Sequence, residues 1–239
     1  MIKIKDLSKI YSGRIVLNID NFIVNENEIV GIVGNNGAGK TTLFRLILDL
    51  IRADSGTISI CDNPVTKSEV WKNITGSYLE ESFLIDFLTP EEYFNFIAKI
   101  YDIDQIALAN RLSFFELFFK EEILNQKFKL IRDYSKGDRQ KIGIVSSLIA
   151  DPQVLILDEP FNHLDPSSQI VLKKILKKVN STKGTTILLS SHNLNHLSEL
   201  CSRICLMEKG SIIKDVNSSL TEITGISQYF QDQIVCTGE

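Results

Sequence analysis

Apolar and polar positions change rhythm several times along the chain, and each rhythm predicts a kind of element. Short runs open it: "IKIKDL" (2–7), then "RIVLNIDNFIV" (14–24), where Ile15, Leu17 and Ile19 alternate with polar or smaller neighbours, then "EIVGIVG" (28–34). Alternation with period two and short apolar runs bounded by turn residues predict strands. "KTTLFRLILDLI" (40–51) switches at once to helical spacing. Further strands are expected at "GTISI" (56–60), "NITGSYL" (73–79), "VLILDE" (154–159), "GTTILLSS" (184–191) and in "RICLMEKGSIIKDV" (203–216), a closing pair turning at Lys209-Gly210. Helical patterns separate several of these, so 28–33, 154–158 and 185–190 fit a mainly parallel sheet flanked by helices.

From about 83 to 132 the strand signals stop and aromatics crowd in. Nine of the 13 phenylalanines lie there: Phe83, Phe87, Phe94, Phe96, Phe114, Phe115, Phe118, Phe119 and Phe128. "TPEEYFNFIAKIY" (89–101) carries a helix start, with Thr89 as N-cap, Pro90 at the first helical position and Glu92 placed to reach back in a capping box. The pattern predicts a core lobe from 1–80 and 133–216, an inserted helical lobe at about 81–132, and a tail at 217–239, all in one domain. The tail carries no motif. "YSKGDRQ" (134–140) precedes another helical stretch, "KIGIVSSLIA"; Ser135 reads as its N-cap and Gly137 as an eased turn.

Size and charge narrow the class. The 239 residues suffice for a large buried core, and 44% hydrophobic with 23% charged residues is ordinary for a globular protein. No apolar run reaches the roughly 20 residues a bilayer crossing needs, and the N-terminus lacks a signal-peptide core, so a cytosolic place is expected. Cys61, Cys201, Cys205 and Cys236 show no paired spacing and read as reduced thiols. A net charge of −4 disfavours nucleic acid as partner, and "LKKILKKV" (172–179) reads as the solvated face of a helix.

The candidate chemistry is phosphate chemistry. "GNNGAGKTT" holds Gly34, Asn35, Asn36, Gly37, Ala38, Gly39, Lys40, Thr41 and Thr42 and satisfies G-x-x-x-x-G-K-[ST] between a strand and a helix. Gly34, Gly37 and Gly39 would let the backbone curl its N–H groups toward phosphate at a helix N-terminus, Lys40 adds a full charge, and Thr41 is a ligand for Mg²⁺. "VLILDEP" ends a buried strand with Asp158, a second Mg²⁺ ligand, and Glu159, a base for an attacking water. His192 follows another buried strand at the same sheet edge, where an imidazole can donate to a γ-phosphate or to that water. His192 and His196 have no third metal ligand within reach of a motif.

Phosphate loop, helical lobe, "YSKGDRQ", "LILDEP", "NHLD" and "SSHN" in this order resemble the ATP-binding cassette (ABC) ATPases of membrane transporters, over nearly the whole chain. The resemblance implies an α/β P-loop NTPase fold, a RecA-like mainly parallel core with an antiparallel β subdomain and an inserted α-helical subdomain. It also implies ATP and Mg²⁺ as cofactors. Ser135, Lys136, Gly137 and Asp138 match the signature, whose serine and glycine bind the γ-phosphate of ATP held by the opposite subunit. Asn162, His163, Leu164 and Asp165 match the loop crossing the dimer interface, with Asp165-Pro166 also reading as a helix cap and first residue. Tyr11 matches the aromatic that stacks on adenine, and Glu80, with Glu81 beside it, stands where the family has a metal-linked glutamine.

Three signature positions depart from Leu-Ser-Gly-Gly-Gln: Tyr134, Lys136 and Asp138. "YSKG" with a glutamate at 80 looks like exporter-type cassettes. The implied protein is an ATPase subunit, a homodimer or heterodimer with another such ATPase, driving separate transmembrane permease subunits from the cytoplasmic face of the membrane, in export. A soluble cassette acting on nucleic acid or ribosomes is the alternative, together with a degenerate nucleotide-binding module. The missing coiled-coil insertion, the single cassette and the acidic balance weigh against the first, and the intact Lys40, Thr41, Asp158, Glu159 and His192 against the second.

Overall fold

The computed structural model describes residues 1–119, 123, 124, 126 and 128–236, with backbone alone for 220 and 231–236. The rest of the expected helical lobe (120–122, 125 and 127) and the end of the tail (237–239) lie outside the described residues, as does the Cys236 side chain. Among the described residues ten strands form two sheets. The smaller joins β1 (Ile2–Tyr11), β2 (Arg14–Val24), β4 (Ser55–Ile60) and β5 (Asn63–Pro64) in the order β2-β1-β4-β5, all antiparallel. The larger runs β10-β9-β3-β8-β7-β6, from β3 (Ile29–Val33), β6 (Thr75–Tyr78), β7 (Val154–Leu157), β8 (Thr186–Ser191), β9 (Arg203–Glu208) and β10 (Ser211–Asn217). It is parallel except for β10, which pairs antiparallel with β9.

The short apolar strands form because both faces of the larger sheet are covered. Successive residues go to opposite cores. Ile29, Val33, Leu155, Leu157, Ile187 and Leu189 join one core with the helices α2 (Pro90–Ile100), α3 (Gln105–Ser113), α4 (Glu116–Phe119), α5 (Lys136–Leu148) and α6 (Pro166–Lys183). Val30, Ile32, Val154, Ile156 and Leu188 join the other, with α1 (Lys40–Ile47) and the smaller sheet. Between β6 and α5 the described residues contain no strand. Two further helices, α7 (Leu194–Ser198) and α8 (Leu220–Cys236), follow β8 and β10. No helix among the described residues is long and apolar enough to cross a membrane.

Several expectations shift on contact with the fold. β1 runs on past Leu7 to Tyr11, because Asp6 at φ 50 slips the strand by one residue and moves its inward face from Ile2 and Ile4 to Leu7. Leu17 and Ile19 are buried as their alternation requires, but Ile15 is 64% exposed at the turn end of the hairpin, opposite Ile10. Helix α1 stops at Ile47 and not at residue 51, closed by Leu48 and turned aside at Asp49, which takes a left-handed φ of 52. The capping box at Thr89 forms as expected: Glu92 N–H donates to Thr89 Oγ1 at 3.2 Å and Thr89 N–H donates to Glu92 Oε2 at 2.8 Å. The tail is a helix: α8 buries Ile226 completely, and the Tyr229 hydroxyl donates to Glu208 at the end of β9.

Candidate functional site

Strand β3 ends at the loop 34–39, and α1 begins at Lys40. Gly37 and Gly39 carry the curl of this loop at φ 83 and 106. Gly34 is there for another reason than the curl, since a Cβ on it would lie 2.3 Å from the Met207 carbonyl of β9. Lys40 is buried, donates to the carbonyls of Gly34 (2.6 Å) and Asn35 (3.3 Å), and stands 3.4 Å from Glu159 Oε1.

The end of β7 supplies the carboxylates. Asp158 Oδ2 accepts from Thr41 Oγ1 at 2.5 Å and Oδ1 accepts from Ser190 of β8. Burial pushes the Asp158 carboxyl up from the usual range, against the pull of the two hydroxyls and Lys40. A threonine hydroxyl and a carboxylate side by side at a phosphate loop are hard oxygen donors, the set Mg²⁺ takes. Glu159 takes φ 47, a region that non-glycine residues rarely enter. Its N–H donates to Ser190 Oγ at 2.8 Å, and its Oε2 lies 2.9 Å from His192 Nδ1 and accepts from the His192 N–H at 3.2 Å.

A cavity of about 340 Å³ opens here, lined by Tyr11, Val16, Asn36, Gly37, Ala38, Gly39, Lys40, Thr41, Thr42 and Glu159. The structure thus brings together the loop, Glu159 and Tyr11, whose half-exposed ring lies at the end of β1 with Lys9 Nζ 5.2 Å from its centroid. Ser135, Lys136, Gly137 and Asp138 do not line that cavity. They start α5, where Ser135 is the N-cap, accepting from Asp138 N–H at 3.1 Å. This N-terminus is not the empty anion site that a bare serine and free N–H groups would make: Ser135 Oγ also donates to Asp138 Oδ2 at 2.7 Å.

The loop 162–165 packs against the same helix start. A Cβ on Gly137 would meet the His163 carbonyl at 2.5 Å, so glycine is required by close approach. His163 itself is at φ 59, Leu164 is buried, the Asn162 N–H donates to the Glu159 carbonyl at 3.2 Å, and Asp165 caps α6 by accepting from Ser168 N–H at 3.0 Å. Glu80 pairs with Arg45 of α1 at 2.8 Å, and Glu81 with Arg139 of α5 at 2.8 Å. Among the described residues no group of three or more His, Cys, Asp and Glu is placed to hold a metal.

Two residues at the site escaped the sequence reading. Ser190 holds both Asp158 and the Glu159 backbone. Buried Gln140 donates from Nε2 to the carbonyls of Glu159 (3.2 Å) and Pro160 (2.7 Å), fastening α5 to the turn that carries Glu159. The only signal for Gln140 was a polar side chain on the inward face of a helix.

Comparison with known proteins agrees with this geometry. The family described as "ABC transporter" matches residues 17–162. The bacitracin transport ATP-binding protein BcrA of Enterococcus faecalis is 31% identical over 221 residues, 92% of this chain and 70% of that protein. A solved ATP-binding subunit of an ABC transporter superposes with a TM-score of 0.82 at 30% identity, over 91% of this chain and 90% of that one. The ATP-binding cassette MJ0796, solved as a dimer in a post-hydrolysis state bound to ADP and Pi, shares the fold at a TM-score of 0.80 and 22% identity, over 92% of this chain and 99% of that one. The chain belongs to the ABC transporter family, as an ATP-binding and ATP-hydrolysing subunit.

Proposed function

We propose that two such chains close head to tail around two ATP molecules and, by closing and reopening, drive separate transmembrane permease subunits at the cytoplasmic face of a membrane. The observation that carries this is the division of the site. Tyr11, the loop 34–42 and Glu159 share one cavity, while Ser135 and Gly137 sit at another helix start outside it. In this reading each chain supplies the cradle for its own nucleotide and the signature for its neighbour's.

Within one cradle, Tyr11 stacks on the adenine, the loop N–H groups take the phosphates, and Lys40 exchanges its loop carbonyls for phosphate oxygens. Thr41 and Asp158 would hold Mg²⁺, with Glu80, just past the end of β6 beside β7, free to join once released from Arg45; the ion would supply charge neutralisation to the leaving phosphate. Glu159 takes a proton from the attacking water, and His192, fixed by Glu159, steers the γ-phosphate. The loop Asn162–Asp165 joins one chain's signature to the interface.

The permease is expected in a cavity of about 360 Å³ beside β6, α1 and α2, lined by Leu50, Trp71, Thr75, Tyr78, Phe83 and Tyr93 among others. Leu50 and Phe83 are exposed at its rim, and the buried Thr75 hydroxyl has no partner among the described residues. Of the lobe's aromatics, Phe94, Phe115, Phe118 and Phe119 are core, while Phe83, Phe87, Phe96 and Phe128 face outward. The signature and Glu80 resemble those of exporter-type cassettes, which is what supports export as the direction; one relative is named for bacitracin transport.

A complementation assay tests the shared site. A Lys40→Ala chain and a Ser135→Ala chain, each inactive alone, should regain ATPase activity when mixed, because one composite site per mixed dimer is intact. Failure of activity to return under conditions where dimers form would defeat the reading.

A further inference from the structure

The signature's third departure, Asp138, is the part of the site that this function leaves unused. It is the third residue of α5, and its carboxylate is held on two sides: Oδ2 accepts the Ser135 hydroxyl at 2.7 Å, and Oδ1 lies 3.7 Å from Nζ of buried Lys141. The N–H groups of Lys136 and Gly137 have no acceptor among the described residues. The helix start therefore offers two open donors and one hydroxyl already committed to an anion of its own.

We infer that Asp138 is a resident competitor for phosphate: its carboxylate holds the Ser135 hydroxyl, the partner's ATP must take that hydroxyl from it, and Asp138 thereby sets the ATP concentration at which two chains close. This rests on the composite-site reading above. A hydroxyl has one proton and donates to one acceptor at a time, so carboxylate and γ-phosphate exclude each other at Ser135. The carboxylate also satisfies the positive helix end that a phosphate would otherwise neutralise. Two anions at one helix start repel, by an amount that water and salt moderate but do not remove.

The test titrates ATP against dimer formation, read by light scattering, in chains carrying Glu159→Gln so that nucleotide is not consumed. Adding Asp138→Asn, which keeps an acceptor for Ser135 but removes the charge, should lower the half-saturating ATP by about tenfold at low salt. The gap should narrow as ionic strength rises, and Asp138→Glu should keep the parent threshold. A cap that served stability alone would change the melting temperature with no salt-dependent shift in threshold. Should Asp138→Asn melt early because Lys141 loses its counter-charge, the double substitution Asp138→Asn with Lys141→Met carries the same comparison. Dimers that need as much ATP as the parent, or more, overturn the inference alone. No ATP-driven dimer in any chain, parent included, overturns the composite-site reading and the inference with it.

Discussion

Glu159 keeps a backbone conformation that costs about 1–3 kcal/mol for a non-glycine residue, and it persists only because the surroundings over-determine it. Ser190 fixes its N–H, Gln140 and Asn162 its carbonyl, and Lys40 and His192 its carboxylate. Substituting Glu159→Gln keeps that shape and removes the base. Steady-state hydrolysis should fall by roughly 100- to 10,000-fold while ATP-bound dimers accumulate; turnover at the parent rate would take Glu159 out of the chemistry. Lys40, Thr41, Asp158, Glu159 and His192 were legible in the sequence because each follows a strand or opens a helix within a recognisable string. Ser190 and Gln140 were not. A serine inside an apolar strand and a glutamine inside a helix announce nothing until β8, α5 and the end of β7 converge.

Among elements, those with a complete local signal were readable and those held by tertiary contact were not. Helix α2 carries its whole start in Thr89, Pro90 and Glu92, so its beginning followed from those three residues. Helix α8 was not read in the tail, and its place is fixed by Ile226 and Tyr229 meeting the β9–β10 pair. That pair has its own clasp, where Arg203 Nε donates to Asp215 Oδ1 at 2.6 Å and Nη2 to Oδ2 at 2.5 Å. The guanidinium holds the Asp215 carboxyl below its usual value against a smaller opposing effect of burial. A lowered folded value means that the ionised clasp stabilises above the unfolded carboxylate pKa and is lost as pH falls through the folded one. Asp215 is partly open to water, so screening keeps the gain near about 0.5–1 kcal/mol. Asp215→Asn should lower the unfolding free energy by that amount at pH 7, and the difference from the parent should begin to shrink only below about pH 4 and be lost once pH passes below the folded carboxyl's value; a difference unchanged through that acid range in denaturant titrations would assign the loss to packing.

At the scale of the whole molecule, two cores grip opposite faces of one sheet, and the proposed nucleotide cavity and the proposed permease groove lie at opposite ends of α1. The order of motifs made the parallel sheet readable. The groove was not, because its lining gathers Leu50, Trp71, Phe83 and Tyr93 from four separate stretches, and the phenylalanines nearest each other in sequence mostly went inward. Phe83→Asp should cut recovery of the chain with the membrane fraction several-fold while ATP-driven dimers still form; undiminished recovery would place the permease elsewhere.

Gly137 touches the backbone of His163 with no side chain between them. Two bare stretches of main chain pressed together leave no slack, as a linkage without play has none. Whatever shifts the start of α5 must carry residues 162–165 along, and those residues are tied by Asn162 to the carbonyl of the base. Arrival of a neighbour's nucleotide at one chain's signature is thereby felt at that chain's own catalytic turn, so the two chambers of a closed pair would keep time with each other.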